Sequence, residues 1–280
     1  MKYCWTHLYM GSIDLKNIKL IVCDIDGTLM NGDKKLSKKL VTLVRCLKEK
    51  GVEFTFASGR LPYKIQPLSS QLKTRMPVIS CNGAWVYQNG KTLFQKKFSA
   101  NLVKDLVKKA ILEGDTVLYS YDGKEYCLKE TEESMYKRKV RGTYYPIRPI
   151  SIAEWDTMEF IKVNILSRKS NEFLANQLQP LKNNLFITCY GDKGLEIVAK
   201  GVDKKTGVEC LTKINRVLPV EILAIGDNGN DLQLMKFAGY SVAVQNATRE
   251  IKEVADYICP KEGEEGVIIF LEYYLKILEV

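Results

Sequence analysis

Asp24 and Asp26 stand two residues apart at the end of an apolar run, Leu20-Ile21-Val22-Cys23, and are followed at once by Gly27 and Thr28. Two carboxylates held this close repel each other unless a cation or a shared proton sits with them. A nucleophile, a proton carrier and an oxygen ligand for a hard ion such as Mg²⁺ fit in one such turn. The same residues also make an Asx-rich turn at a strand end, so this motif by itself leaves chemistry and a plain turn both open.

Three further groups carry chemistry of a matching kind. Ser58-Gly59-Arg60 follows an apolar run and precedes Pro62, a residue suited to the first turn of a helix. A hydroxyl and close-approaching backbone N–H groups at a helix start suit an anion. Lys204 and Lys205 open a helical pattern, where the helix dipole disfavours cations. A cation placed against that field suits a phosphoryl group; the plainer reading is a solvated lysine pair. Gly226-Asp227-Asn228-Gly229-Asn230-Asp231 closes another apolar run. Asp227 can complete a metal site with Asp24, while Asn230 and Asp231 orient it or cap the next helix. His7 is the one histidine and precedes the first strand, so acid–base work falls to carboxylates.

The elements that must position these groups read in three zones. To about residue 84, strand and helix alternate: an apolar strand at 20–23, a helix capped by Ser37 and stopped at Gly51, a strand at 52–57, a helix from Pro62, and a strand at 77–80. This predicts parallel βαβ units. From about 85 to 192 the texture changes. Asn89-Gly90 and Asp122-Gly123 each join two β-prone runs as hairpins. A helical stripe runs through Leu102, Val103, Leu106, Val107 and Ala110, strands follow at 159–166 and 185–190, and a helix lies near 171–179. From about 193 alternation returns. Asp203 caps a helix with Val208, Leu211, Ile214 and Leu218 inward, Glu221–Ile225 is a strand, and 240–244 and 256–259 are two more. The expectation is an α/β domain, 1–84 with 193–280, split by an inserted α+β module at 85–192.

Composition excludes several classes. The chain has 280 residues and a net charge of +9, its basic residues spread along its length. A solvated basic surface accounts for them, and no nucleic-acid groove is expected. The densest run, Lys137 to Arg141, lacks interleaved aromatics and reads as a helix face. The eight cysteines have neither zinc-ligand nor redox spacing, which suits a reduced, cytoplasmic protein. No apolar stretch reaches the length of a membrane span, and the N-terminus lacks a signal core.

Taken in order, Asp24-Ile25-Asp26-Gly27-Thr28, Ser58-Gly59-Arg60, Lys204 and Gly226 to Asp231 resemble the four motifs of the haloacid dehalogenase superfamily of phosphatases. The inserted module is similar to the C2-type cap of its Cof-like branch. Ser80-Cys81-Asn82-Gly83-Ala84 and Gln245-Asn246-Ala247 resemble further markers of that branch, although Gln245 stands where relatives usually carry Gly. The resemblance implies a Rossmann-like parallel sheet with helices on both faces and a cap that selects the leaving group. It implies that Asp24 is the nucleophile forming an aspartyl-phosphate and that Asp26 is the acid and base, lending its backbone carbonyl to Mg²⁺. Ser58 and Lys204 would hold phosphoryl oxygens, Gly59, Arg60, Asn82, Gly83 and Asn230 would lie along the substrate, and Asp227 would complete the metal site with Asp231 behind it. The substrate class is then a small phosphorylated metabolite: a sugar phosphate, nucleotide or cofactor phosphate. A phosphomutase on the same scaffold and a non-catalytic binding protein are the alternatives. The cap tyrosines Tyr119, Tyr121, Tyr126, Tyr144 and Tyr145 either line a pocket or pack on the sheet.

Overall fold

The computed structural model describes residues 15–30, 35–141, 144–167, 181, 183–190 and 194–279. His7 and the helix expected near 171–179 lie outside them. The chain divides into two compact units, Met1–Thr55 with Asn215–Val280, and Phe56–Ile214. The second contains all of 85–192 together with the segments on either side of it.

The first unit is built on the strand Leu20–Cys23, every residue of which is fully buried. It pairs in parallel with Ile222–Gly226, in register from Leu20 opposite Ile222 to Cys23 opposite Ile225. Tyr240–Ala243 and Tyr257–Ile258 extend the sheet in parallel on that side, and Glu53–Phe56 forms the opposite edge. A strand covered on both faces has no polar face to alternate with, which is why Leu20 to Cys23 reads as a continuous apolar run. The chain places its second strand on one side of the first and its third on the other. The order therefore reverses between Leu20–Cys23 and Ile222–Gly226, and the crevice beyond their carboxyl ends is where open α/β sheets bind ligands.

Helices brace this sheet. Ser37 caps Lys38–Glu49 by accepting from the Leu40 N–H at 3.2 Å, and Leu40, Val44 and Leu47 face inward. The helix Gly263–Ile277 packs on it. Glu264 Oε1 accepts from the Ser37 N–H at 2.8 Å, and the Tyr274 hydroxyl donates to the Leu15 carbonyl at 3.1 Å. Among the described residues no helix is long and apolar enough to cross a membrane.

The second unit carries an antiparallel five-stranded sheet in the order Leu185–Tyr190, Gly194–Ala199, Lys162–Leu166, Thr116–Tyr121, Lys124–Cys127. Both hairpin signals hold, with Asn89, Gly90, Asp122 and Gly123 all at positive φ, as tight hairpin turns demand. One sheet face is apolar: Val117, Tyr119, Val163, Ile165, Leu195 and Ile197 pack with Val107, Ala110 and Trp155. The ring of Tyr119 lies 5.5 Å from that of Tyr126 and 5.1 Å from that of Phe160, so these tyrosines pack. Tyr144 is exposed. The other face carries Glu125, Lys162, Asn164 and Glu196, all nonetheless buried.

Four expectations change. Val78–Ser80 joins the Ala57 end of the second strand by a single parallel bridge, at Ile79, and takes its ladder from Trp85–Gln88, antiparallel. The tight turn at Cys81–Gly83 is the cause: all three residues have positive φ and send the chain straight back. The strand expected at 159–166 breaks at Ile161 into Glu159–Phe160 and Lys162–Leu166. On the helix Lys204–Asn215, Val208 and Leu211 are buried, but Ile214 and Leu218, the latter beyond the helix end, are exposed. Within 140–158, which has no regular sequence pattern, Ile152–Thr157 is helical, nucleated by a Ser151–Glu154 capping box.

Phe270 is fully buried, its ring 5.2 Å from that of Tyr257. Phe270→Ala is expected to lower unfolding free energy by about 3–5 kcal/mol in chemical denaturation; a loss below ~1 kcal/mol would contradict this packing.

Candidate active site

Asp24 and Asp227 end neighbouring strands at the point of order reversal, so the sheet itself brings them together. Asp24, Asp227 and Asp231 are buried, and one carboxylate oxygen from each lies within 4.8 Å of the others. The loop between Asp24 and Met30 folds back on itself: the Leu29 and Met30 N–H groups both donate to the Ile25 carbonyl at 2.9 Å, and the Gly27 N–H donates to Met30. This turn brings Thr28 to Asp227, where its hydroxyl donates to Oδ1 at 2.8 Å. Asp231 Oδ2 accepts from the N–H groups of Asp227 and Asn228, both at 3.1 Å, so Asp231 braces the loop that presents Asp227. Asn246 ties a third loop in, donating to the Gly27 carbonyl at 2.7 Å while accepting from the Gly263 N–H. Asp26 stands apart: its side chain is exposed and its carboxylate is not one of the clustered three. Asn230 is half-buried on the same loop as Asp227.

The donor chemistry fits a hard divalent cation. Three crowded carboxylates in a buried place repel one another unless a positive charge joins them, and Mg²⁺ takes oxygen ligands of this kind. Asp24 and Asp227 are the side chains that would hold it.

The second unit assembles the hydroxyl and ammonium groups. Ser58 is buried, and its Oγ accepts from the Arg60 N–H at 3.2 Å. The turn is laced to the next loop: the Ser58 carbonyl accepts from the Asn82 N–H, and the Arg60 carbonyl from the Cys81 N–H, both at 3.0 Å. Ser80 Oγ also donates to the Arg60 carbonyl, at 2.6 Å. Gly83, at φ +95°, lies so close to Asp203 that an added Cβ would sit 1.8 Å from its carbonyl oxygen. Asp203 in turn caps the helix beginning at Lys204, accepting from the Thr206 N–H at 2.7 Å. Lys204 is fully buried, whereas Lys205 is half-exposed and pairs with Glu209. The solvated-pair reading therefore holds for Lys205 and fails for Lys204, since lysine is almost never fully buried without an anionic partner or a task.

A buried ionic chain lies beside this turn, and sequence reading missed it. Lys162 Nζ donates to the Gly59 carbonyl at 2.7 Å and pairs with Glu196 Oε2 at 3.0 Å. Asn82 Nδ2 donates to the other Glu196 oxygen. Lys64 pairs with Glu125 at 2.9 Å, and Asn164 donates to Glu125. Burial alone would raise the Glu125 carboxyl, but Lys162, Lys64 and their hydrogen-bonding neighbours outweigh it and hold it below the usual carboxylate value. Burial would likewise lower the Lys162 ammonium, and Glu196 followed by Glu125 reverse this and push it up. In sequence these residues alternate with apolar ones, which is the signature of a solvent face.

A model of the haloacid dehalogenase-like hydrolase family matches residues 21–271 of this chain. The chain is 24% identical over 266 residues to 5-amino-6-(5-phospho-D-ribitylamino)uracil phosphatase YbjI of Escherichia coli, an alignment covering 93% of this chain and 97% of that one. It is 25% identical over 261 residues to 5-amino-6-(5-phospho-D-ribitylamino)uracil phosphatase YcsE of Bacillus subtilis, covering 92% and 96%. Among solved structures, a haloacid dehalogenase-like hydrolase from Bacteroides thetaiotaomicron superposes with a TM-score of 0.77 at 26% identity, covering 91% of this chain and 99% of that one.

Gly27 has φ +89°, and a Cβ there would lie 2.2 Å from Asp227 Oδ2. Gly27→Ala is expected to displace that carboxylate and weaken Mg²⁺ or Mn²⁺ binding about tenfold or more in titration calorimetry. Unaltered affinity in a folded variant would show that Asp227 is not a ligand.

Proposed function

The chain belongs to the haloacid dehalogenase-like hydrolases, and from that premise we propose that it is a Mg²⁺-dependent phosphatase hydrolysing a small phosphomonoester through an aspartyl-phosphate on Asp24. The observation that carries this reading is the buried trio Asp24, Asp227 and Asp231 at the reversal point of the parallel sheet. Asp24 attacks phosphorus through a carboxylate oxygen, the ester P–O bond breaks, and the leaving oxygen departs with the bonding electrons. Asp26 gives that oxygen its proton. It is exposed and stands outside the clustered three, which leaves it for proton transfer rather than attack. In the second step Asp26 takes a proton from water as the water attacks the phosphorus, returning Asp24 and releasing inorganic phosphate.

Mg²⁺, when bound by Asp24, Asp227 and the Asp26 backbone carbonyl, would supply the positive charge that lets an anionic nucleophile meet an anionic ester. Asp231 holds Asp227 in place through its backbone. By their match to the second and third motifs, Ser58 and Lys204 hold the phosphoryl oxygens, an electrostatic share of the catalysis. Gly59 supplies a backbone N–H, and Arg60, Asn82, Gly83 and Asn230 complete the substrate-binding set. Residues 1–84 and 193–280 are the catalytic domain and 85–192 the cap that selects the leaving group. The names of the two relatives support a polyol-bearing phosphate among the sugar phosphates, nucleotides and cofactor phosphates to be tested. The free thiols of the described cysteines support a cytoplasmic setting.

The native protein with Mg²⁺ is expected to release phosphate from p-nitrophenyl phosphate, to stop on addition of EDTA and to recover with excess Mg²⁺. Asp24→Asn should reduce turnover roughly a thousandfold or more while circular dichroism is unchanged. Turnover that survives the substitution would sink the nucleophile assignment, and indifference to chelation would sink the metal.

A further inference from the structure

We infer that Lys162 is a positioning residue for phosphate binding, acting through the Gly59 carbonyl to fix the Ser58-Gly59-Arg60 turn; this rests on the phosphatase reading above. Each carbonyl of that turn is tied by a different donor. The Asn82 N–H takes the Ser58 carbonyl, the Cys81 N–H and Ser80 Oγ take that of Arg60, and Lys162 Nζ takes that of Gly59 at 2.7 Å. The first and third come from the adjacent loop. Only the middle one is supplied from the antiparallel sheet, and by a buried charge.

A trans peptide holds its C=O and the following N–H on opposite sides. Tying the Ser58 carbonyl therefore aims the Gly59 N–H to the other side, and tying the Gly59 carbonyl does the same for the Arg60 N–H. The Arg60 N–H is taken by Ser58 Oγ, which keeps its own hydrogen to donate. The turn thus presents one hydroxyl and one amide N–H, the donor pair an anion needs. Gly59 lies close against this network: a Cβ there would be a tight 3.3 Å from Asn82 Nδ2 and in ordinary contact with Glu196 Oε1 at 3.5 Å.

The charge on Lys162 is costly to bury, and the fold supplies Glu196 to offset it. Glu196 is itself gripped at both oxygens, by Lys162 and by Asn82. A buried ion pair gives little net stability over an apolar pair of the same volume, so stability does not account for its presence. A directed, charge-assisted hydrogen bond to a turn carbonyl does, since an apolar pair cannot make one.

The test compares the native protein, Lys162→Met, and the double variant Lys162→Met/Glu196→Gln. Inorganic phosphate binding is measured by titration calorimetry, p-nitrophenyl phosphate kinetics and Mg²⁺ affinity are measured alongside, and stability by thermal denaturation. Loss of the charged hydrogen bond is expected to weaken phosphate binding about tenfold, with KM rising more than kcat falls and Mg²⁺ affinity unchanged. The double variant removes both buried charges and is expected to regain stability without regaining phosphate affinity. Native-like phosphate binding in Lys162→Met overturns the inference. So does a double variant in which affinity returns together with stability, the result a purely structural pair would give. Native protein that neither binds phosphate nor turns over the ester overturns the phosphatase reading and this inference with it, whereas native activity with unaffected variants overturns this inference alone.

Discussion

Three carboxylates confined to a buried space set the terms for the first unit. One carboxylate oxygen from each of Asp24, Asp227 and Asp231 lies within 4.8 Å of the others, and charges that close repel by roughly 3 kcal/mol per pair at the effective dielectric of a protein, so holding them together takes dedicated contacts. The chain spends several local devices on holding them. Gly226 leaves no space for a side chain, since a Cβ there would lie 2.6 Å from Asp231 Cβ. Two backbone N–H groups orient Asp231 and the Thr28 hydroxyl orients Asp227. These contacts fix where the oxygens of Asp227 and Asp231 sit.

The second unit meets the opposite difficulty. Its sheet has one apolar face sealed by helices and a second face bearing Glu125, Lys162, Asn164 and Glu196, all buried. Acids and bases alternate there and satisfy one another, so charge is balanced along the chain of contacts. The two arrangements differ in what they ask for. The paired chain fixes backbone at the Gly59 carbonyl, while three clustered carboxylates offer oxygen ligands that a hard cation can use.

Much of this was legible in the sequence, for reasons that differ between residues. Leu20 to Cys23 announced a doubly covered strand because no polar residue interrupts it. Asn89-Gly90 and Asp122-Gly123 announced hairpins because few other pairs tolerate positive φ in succession. Asp24 and Asp227 could be suspected as partners because each follows such a strand, and Asp231 as a support four residues beyond Asp227. Lys162 and Glu196 could not be found the same way. Alternation of polar and apolar residues tells which residues share a face, but not whether water or another segment covers that face. Thr28 was hidden as an ordinary turn residue, and Val78–Ser80 was misplaced because three successive positive-φ residues are invisible to a pattern of hydrophobicity. Lys204 and Lys205 make the same point at the smallest scale: two adjacent lysines, one fully buried and one on the surface, told apart only by which side of a helix they fall on.

The strand that carries Asp24 has a history as well as a place. Leu20–Cys23 is made first, and its neighbour Ile222–Gly226 follows about two hundred residues later. At ordinary ribosomal speeds that is a wait of roughly ten to forty seconds. During it, the most apolar strand of the sheet has one edge without its native partner, and the whole second unit is threaded out in between. Such an edge is a site for wrong pairing in a crowded cell. The arrangement that gathers distant residues into one crevice therefore also leaves an apolar strand edge of the nascent chain open until Ile222–Gly226 has been made.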